Sequence, residues 1–249
     1  MQIIDNFDLT SYNSYRIQAA CKTAYFPETE ADVVSFYKLK SPYILIGSGH
    51  NIIFSKPYYD NNFLIFNGNY NNYELDLANN VIIAESGITM YDLSKIALDN
   101  DLSGLEIFYD IPSSLGGAIV MNAGASGEEI KDVIVKVRYL DLEDFSIKEV
   151  AKEDIGFEFR NSFFQKNTDK VVLKAWLKLK SGNSNEINSK MELIKEQRWK
   201  KQPKDFPNAG SVFKRPKGYF VGAIIEELGL KGLSIGGAKI SEKHGGIYC

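Results

Sequence analysis

Cysteine and histidine are nearly missing from this chain, with two of each among 249 residues: Cys21, Cys249, His50 and His244. Two cysteines without C-x-x-C spacing cannot build a secreted disulfide framework, and two histidines cannot supply a histidine-rich metal centre, so no metal site is expected. Long apolar runs are also lacking, none approaching the roughly 18 residues of a membrane span. The N-terminal MQIIDNFDLTSYNSYR has neither the basic start nor the apolar core of a signal peptide. A cytoplasmic protein away from the membrane is the expectation. Excess positive charge is absent too: 29 Lys and Arg against 32 Asp and Glu leave a net charge of −3, which argues against a dedicated nucleic-acid binder. Repeats, low-complexity tracts and heptads do not occur. What remains is an ordinary globular composition, 44% hydrophobic and 24% charged, in a chain long enough to form a core without staples.

Short elements alternate along the chain. Thr29 followed by Asp32 resembles a capping box, and Val33, Phe36 and Tyr37 at helical spacing predict a helix within 28–40. Tyr43-Ile44-Leu45-Ile46 reads as a buried strand that stops at Gly47-Ser48-Gly49. Residues 62–67 and 81–85 repeat the strand signal, with Asn79-Asn80 as a turn. Thr89 opens a second helix with Leu93, Ile96 and Ala97 on one face. Over 133–139 the odd-numbered residues are apolar, which places Val133, Val135, Val137 and Tyr139 inward, with Ile134 out of phase. Leu173, Ala175, Leu177 and Leu179 alternate with polar residues in the same way. Lys180 to Asn185 shifts to linker composition, so a domain boundary is expected near residue 182. A charged helix follows, with Ile187, Met191 and Ile194 as its stripe and Pro203 beyond its end. The last helix, 219–228, is expected to bury Val221, Ile224, Ile225 and Leu228 and to stop at Gly229.

Four segments have the chemistry of a site. Gly47-Ser48-Gly49-His50-Asn51-Ile52 follows a strand, and its glycines let backbone N–H groups approach an anion. It has neither the third glycine of a dinucleotide fingerprint nor the Lys-Ser/Thr of a P-loop, so a plain tight turn is the competing reading. Ile111-Pro112-Ser113-Ser114-Leu115-Gly116-Gly117-Ala118 and the following Asn122, Ala123 and Gly124 are dominated by small residues. Such a backbone can lie against a flat or charged ligand, or pack a helix tightly on a strand. Arg160, in Phe159-Arg160-Asn161-Ser162-Phe163-Phe164, is either a packed guanidinium or a bidentate carboxylate ligand. Ser211, in Asn208-Ala209-Gly210-Ser211-Val212-Phe213-Lys214-Arg215-Pro216, is on an open loop where a serine either caps a turn or presents its hydroxyl to a reacting carbon; no G-x-S-x-G elbow surrounds it.

Together with Asn13-Ser14-Tyr15-Arg16 and VGAIIEELGLKGLSIGGAKISEKH, these segments resemble, in order and over nearly the whole chain, the UDP-N-acetylenolpyruvoylglucosamine reductases of peptidoglycan precursor synthesis. The short distance from Arg160 to Ser211 is similar to the compact branch of that family. The resemblance implies an α+β protein: a PCMH-type FAD-binding domain of two α/β parts over 1–181, split near 55–60, then a substrate-binding domain over 182–249. It implies FAD and NADPH as cofactors, UDP-N-acetylenolpyruvoylglucosamine as substrate, and a monomer. Implied FAD contacts are Gly47, Ser48, Gly49, His50, Asn51, Ile52, Pro112, Ser113, Ser114, Gly116, Gly117, Ala118, Asn122 and Gly124. Arg160 stands where the family's charge-stabilising arginine stands and Ser211 where its proton donor stands, with Lys214, Arg215 and Arg198 implied at the substrate.

The sequence departs from the family pattern in two places. The usual glycines around Ile-Pro are Asp110 and Ser113, and Asp110 puts a negative charge near phosphate unless it points away. The family continues past the histidine matched by His244 to a catalytic glutamate; this sequence reads His244-Gly245-Gly246-Ile247-Tyr248-Cys249, no residue matches that glutamate, and the second domain is expected to be C-terminally incomplete. The alternatives are a relative that binds FAD without efficient turnover, and another flavin oxidoreductase on the same architecture.

Overall fold

A computed structural model describes residues 1–249. The first layer is a four-stranded sheet of β1 (Gln2–Asp8), β2 (Ala20–Phe26), β3 (Tyr43–Ile46) and β4 (Tyr58–Ile65), with α1 (Glu30–Lys38) between β2 and β3. Its order is β1-β2-β4-β3; β4 runs parallel to both β2 and β3, whereas β1 is antiparallel to β2. The Thr29 side chain accepts from the Asp32 N–H, and Asp32 reaches back to the Thr29 N–H, the capping box expected at the start of α1. Such a cap stabilises a helix by about 1 kcal/mol.

A second, wholly antiparallel sheet combines β5 (Tyr73–Asp76) and β6 (Val81–Glu85) with three later strands. Between them come α2 (Met90–Asp99), β7 (Leu102–Ser103), α3 (Leu115–Val120), β8 (Gly124–Ala125) and β9 (Glu128–Glu129). The later strands are β10 (Ile134–Asp141), β11 (Ile147–Ala151) and, after α4 (Phe163–Lys166), β12 (Lys170–Lys178); the sheet order is β11-β10-β12-β6-β5. The largest core packs α2 and α3 on this sheet through Leu93, Ala97, Leu115 and Ile119 against Ile82, Val137, Ala175 and Leu177. α1 joins the two layers, since Val33, Phe36 and Tyr37 meet Leu64 of the first sheet and Leu140 and Leu173 of the second. The break between layers therefore falls between Ile65 and Tyr73. This corrects the split expected near 55–60, because β4 pairs with β2 and β3 and belongs to the first sheet.

β13 (Lys180–Ser181) pairs with β7, and α5 (Ser184–Lys201) then packs Ile187 and Met191 on Leu98, with Tyr109 beside them. The chain closes with α6 (Val221–Glu227) and the hairpin of β14 (Ser234–Ile235) and β15 (Ala238–Lys239). No helix is long and apolar enough to cross a membrane. Two further expectations are corrected. A bulge between Ile134 and Lys136 leaves Val135 without a partner on β12 and turns it to solvent at 43% exposure, while Ile134 takes the inward place. On α6 only Ile225 is buried, and Leu228 is 62% exposed.

Candidate active site

The loop after β3 is built on the turn that precedes β2. Asn13 is buried, with its amide donating to the Leu9 and Ile17 carbonyls at 3.2 and 3.0 Å and its Oδ1 accepting from the Ile17 N–H at 2.9 Å. The turn so fixed holds the loop: the Ser14 N–H donates to the Gly49 carbonyl at 3.3 Å, and the Ser14 hydroxyl pairs with His50 Nδ1. Gly49 has φ +73°, and a Cβ there would lie 1.9 Å from the Tyr12 carbonyl oxygen, so only glycine fits. The backbone N–H groups of Ser48, Gly49, His50, Asn51 and Ile52 find no acceptor in the protein. Five free donors in one loop make an anion cradle. Burial lowers the His50 pKa, which keeps the imidazole neutral at neutral pH.

The small-residue segment faces this loop. The Ser114 N–H donates to Ser48 Oγ at 3.1 Å, and a Cβ on Gly47 would meet Ser114 Oγ at 2.5 Å, so the two segments touch through glycine and hydroxyl. The N–H groups of Leu115, Gly116 and Ala118 are occupied by the carbonyls of Ile88, Ser86 and Ser114, and that of Gly117 reaches Ser114 Oγ at 3.4 Å. Few N–H groups of this segment are therefore left for a phosphate. Only that of Ser113 is free, and the Ser113 hydroxyl donates to the Ser114 carbonyl. What the segment offers is close approach. A Cβ on Gly117 would be no nearer than 3.4 Å to any protein atom, so the fold itself leaves room there. The Ser86 hydroxyl, buried beside Gly116, has no partner. A row of free N–H groups, a bare backbone and an orphaned hydroxyl fit a dinucleotide pyrophosphate and its attached ring system.

Arg160 is held against the far end of the same segment. Its backbone is left-handed, φ +55°, a conformation that costs a non-glycine residue on the order of 1 kcal/mol. Nη1 donates to the Asn122 carbonyl at 3.0 Å and Nη2 to the Gly124 carbonyl at 2.6 Å. Glu129 lies 3.8 Å from Nη1, and the guanidinium sits 5.0 Å from the Phe159 ring centroid. Asn122 is buried and fixes this arrangement, its amide donating to Glu129 Oε2 at 3.0 Å and to the Glu158 carbonyl at 2.9 Å. Burial lowers the Arg160 pKa and Glu129 opposes that shift. The remaining guanidinium N–H groups have no protein acceptor, and the side chain keeps 31% of its surface exposed.

Ser211 is exposed and bridges Ile247, with the Val212 N–H donating to the Gly246 carbonyl at 3.0 Å. Asn208 stiffens the approach by donating to the Pro203 and Phe206 carbonyls and accepting from the Gly210 N–H. Lys166, bonded to Glu158 at 3.0 Å, is the main cause that holds the Glu158 carboxyl below its usual pKa, with the charge of Lys214 a minor one. The Arg215 guanidinium stacks 3.8 Å from the Phe220 ring centroid. Arg198 Nε donates to Asp110 at 2.8 Å, so Asp110 points toward α5 and away from the cradle. Ser86 and Glu129 have no signal in the sequence for these places, whereas Asn13 and Ser14 belong to the Asn-Ser-Tyr-Arg segment that helps to carry the resemblance, which does not show their supporting bonds.

The chain is similar to known proteins. The FAD binding domain family matches residues 22–150, and the family described as UDP-N-acetylenolpyruvoylglucosamine reductase, C-terminal domain, matches 202–248. The UDP-N-acetylenolpyruvoylglucosamine reductase of Francisella tularensis is 40% identical over 241 residues, covering 96% of this chain and 84% of the relative. That of Caldanaerobacter subterraneus is 38% identical over 97% of this chain and 80% of its own. The crystal structure of the Thermus caldophilus enzyme aligns with a TM-score of 0.81 at 28% identity, over 99% of this chain and 86% of that one. A solvent-stable cholesterol oxidase, 13% identical with a TM-score of 0.54, shares the fold alone over 72% of this chain and 38% of its own. Identity near 40% over almost the full chain makes this protein a member of the UDP-N-acetylenolpyruvoylglucosamine reductase family.

Proposed function

We propose that this protein reduces the enolpyruvyl ether of UDP-N-acetylenolpyruvoylglucosamine to UDP-N-acetylmuramate, in the cytoplasm and as a monomer, for peptidoglycan precursor synthesis and so for cell shape and division. The reading is carried by one observation: Arg160 is locked to the Asn122 and Gly124 carbonyls, at the far end of the small-residue segment that meets the cradle through Ser114, and still has unpaired N–H donors. The cradle of Gly47–Ile52 would hold the FAD pyrophosphate, with Pro112, Ser113 and Ser114 completing its wall and Gly116, Gly117 and Ala118 allowing the cofactor to lie close. Bound there, FAD reduced by NADPH supplies a hydride to the terminal carbon of the enolpyruvyl group.

The chain's own residues handle the charge and the proton. Negative charge develops on the carbon that bears the carboxylate and spreads into that carboxylate, where the fixed Arg160 guanidinium offers donors in a planar fork. A preorganised stabiliser of this kind is worth about 3–4 kcal/mol in the transition state. The Ser211 Oγ–H then gives its proton to that carbon and is reprotonated from solvent. A serine hydroxyl is a weak acid, so the transfer depends on a strongly basic carbanion and on proximity. Lys214 and Arg215 in the Ser211 loop, and Arg198, would supply cations to the substrate's phosphates. Steady-state assay with NADPH after loading with FAD tests the reading: oxidation of NADPH that depends on the enolpyruvyl substrate and yields UDP-N-acetylmuramate is expected, whereas no flavin uptake, or flavin reduction without product, rejects it.

A further inference from the structure

Asp110 has no place in the chemistry above, yet its carboxylate joins the two halves of the site. Its side chain is 11% exposed and accepts three bonds from one short stretch of chain: Arg198 Nε at 2.8 Å, Trp199 Nε1 at 2.9 Å and Lys204 Nζ at 3.1 Å. The ammonium groups of Lys195 and Lys204 are 5.6 and 5.8 Å from the Trp199 ring centroid. On one side, Asp110 is separated from Ser113 by Ile111 and Pro112, and the fixed φ of proline leaves that link little freedom. On the other, Lys204 is followed by the segment that Asn208 ties to Pro203, Phe206 and Gly210, one residue short of Ser211. A stiff path therefore runs from the cradle wall through one carboxylate to the proton-donor loop.

We infer that Asp110 is a positioning residue that sets where the Ser211 loop stands relative to the flavin cradle. The inference rests on the function proposed above. A charge-assisted cluster with three donors of different shape fixes an orientation better than a single pair does, and Arg198 and Trp199 contribute planar groups. Errors of about 1 Å in the placement of a reacting group can lower a rate by about 10²-fold, so the latch is sited where it matters. A glycine at position 110 would leave all three donors without this acceptor.

The test uses Asp110→Asn and Lys204→Met in the full chain loaded with FAD, in a Trp176→Phe background that makes Trp199 the only tryptophan. Three readouts are taken together: the two half-reactions by stopped flow, Trp199 emission, and amide hydrogen exchange. Asp110→Asn is expected to change Trp199 emission and to raise exchange at 208–212 by about tenfold or more, while exchange at 113–118 and the rate of flavin reduction by NADPH stay within about twofold. Reoxidation by the enolpyruvyl substrate is expected to slow by about 10- to 100-fold, with kcat falling more than KM changes. Lys204→Met is expected to do the same to a smaller degree and to add little in the double variant. Unchanged exchange at 208–212 overturns the inference, even if the parent protein fails to act on the enolpyruvyl substrate, which would reject the proposed function separately. Equal damage to both half-reactions and to flavin affinity also overturns it, because Asp110 would then be a general structural residue.

Discussion

Arg160 and Asn122 both hold left-handed backbone angles, φ +55° and +42°, and Nη1 of the first donates to the carbonyl of the second at 3.0 Å. Two strained residues, 38 positions apart in sequence, fix each other and so fix the guanidinium at the end of the small-residue segment.

That fixation predicts the behaviour of Arg160→Lys. The charge survives, but an ammonium cannot hold both carbonyls and present a planar fork to a carboxylate. Reoxidation of reduced flavin by the enolpyruvyl substrate should slow by about 10²-fold, and flavin reduction by NADPH should stay within about twofold of the parent. Stopped-flow comparison of the half-reactions decides it; equal loss in both would reduce Arg160 to a packing residue.

Adjacent glycines should behave oppositely. A Cβ on Gly116 would lie 3.0 Å from Ser86 Cβ and 3.2 Å from its carbonyl oxygen, so Gly116→Ala should destabilise the apoprotein by about 1–3 kcal/mol. Gly117→Ala meets nothing closer than 3.4 Å and should leave apoprotein stability within about 1 kcal/mol while weakening FAD binding by about tenfold or more. Thermal melts and flavin titrations of the two variants check this, and wild-type FAD affinity in Gly117→Ala would move the cofactor elsewhere.

Much of the fold is legible in the sequence because its signals are local. The Thr29–Asp32 cap and the Thr89 helix start depend on residues at most a few positions apart, as does the Tyr43–Ile46 strand, although it is an edge strand that buries only Ile46 and not the buried strand its apolar run suggests. The inward place of Ile134 is not legible, because a bulge is decided by the partner strand β12. Nor is the occupation of the Leu115 and Gly116 N–H groups, whose acceptors, Ile88 and Ser86, approach only after α2 and β6 have packed. Asp110 reads from sequence as a negative charge near a phosphate loop; its partner Arg198 lies 88 positions away and reverses that reading.

The bulge gives a stability test. Ile134→Ala should cost about 2–4 kcal/mol by opening a cavity against the core, and Val135→Ala less than about 1 kcal/mol, although alternation in the sequence ranks them the other way. Chemical denaturation of both variants measures the difference; equal costs would place the register shift elsewhere.

His50 should make the protein acid-sensitive. Its folded pKa is lowered by burial from 6.5, so as pH falls below about 6.5 the unfolded chain takes up a proton that the folded chain refuses. The stability His50 contributes is present above that pH and is lost progressively down to the lowered folded value. Melts of apoprotein between neutral and mildly acidic pH should show this slope, and His50→Asn should flatten it; an unchanged slope in the variant would assign the acid sensitivity to other groups.

The most direct test of the whole account is anaerobic mixing of the NADPH-reduced, FAD-loaded protein with UDP-N-acetylenolpyruvoylglucosamine in D2O, following flavin absorbance and then the label in the product. The account predicts return of the oxidised flavin spectrum, slowed by the lack of a residue matching the family's glutamate, with solvent deuterium on the carbon that bears the carboxylate and a further loss of about 10²-fold or more in Ser211→Ala. Flavin that stays reduced in the parent protein, or a Ser211→Ala variant that forms product at the parent rate, would contradict it.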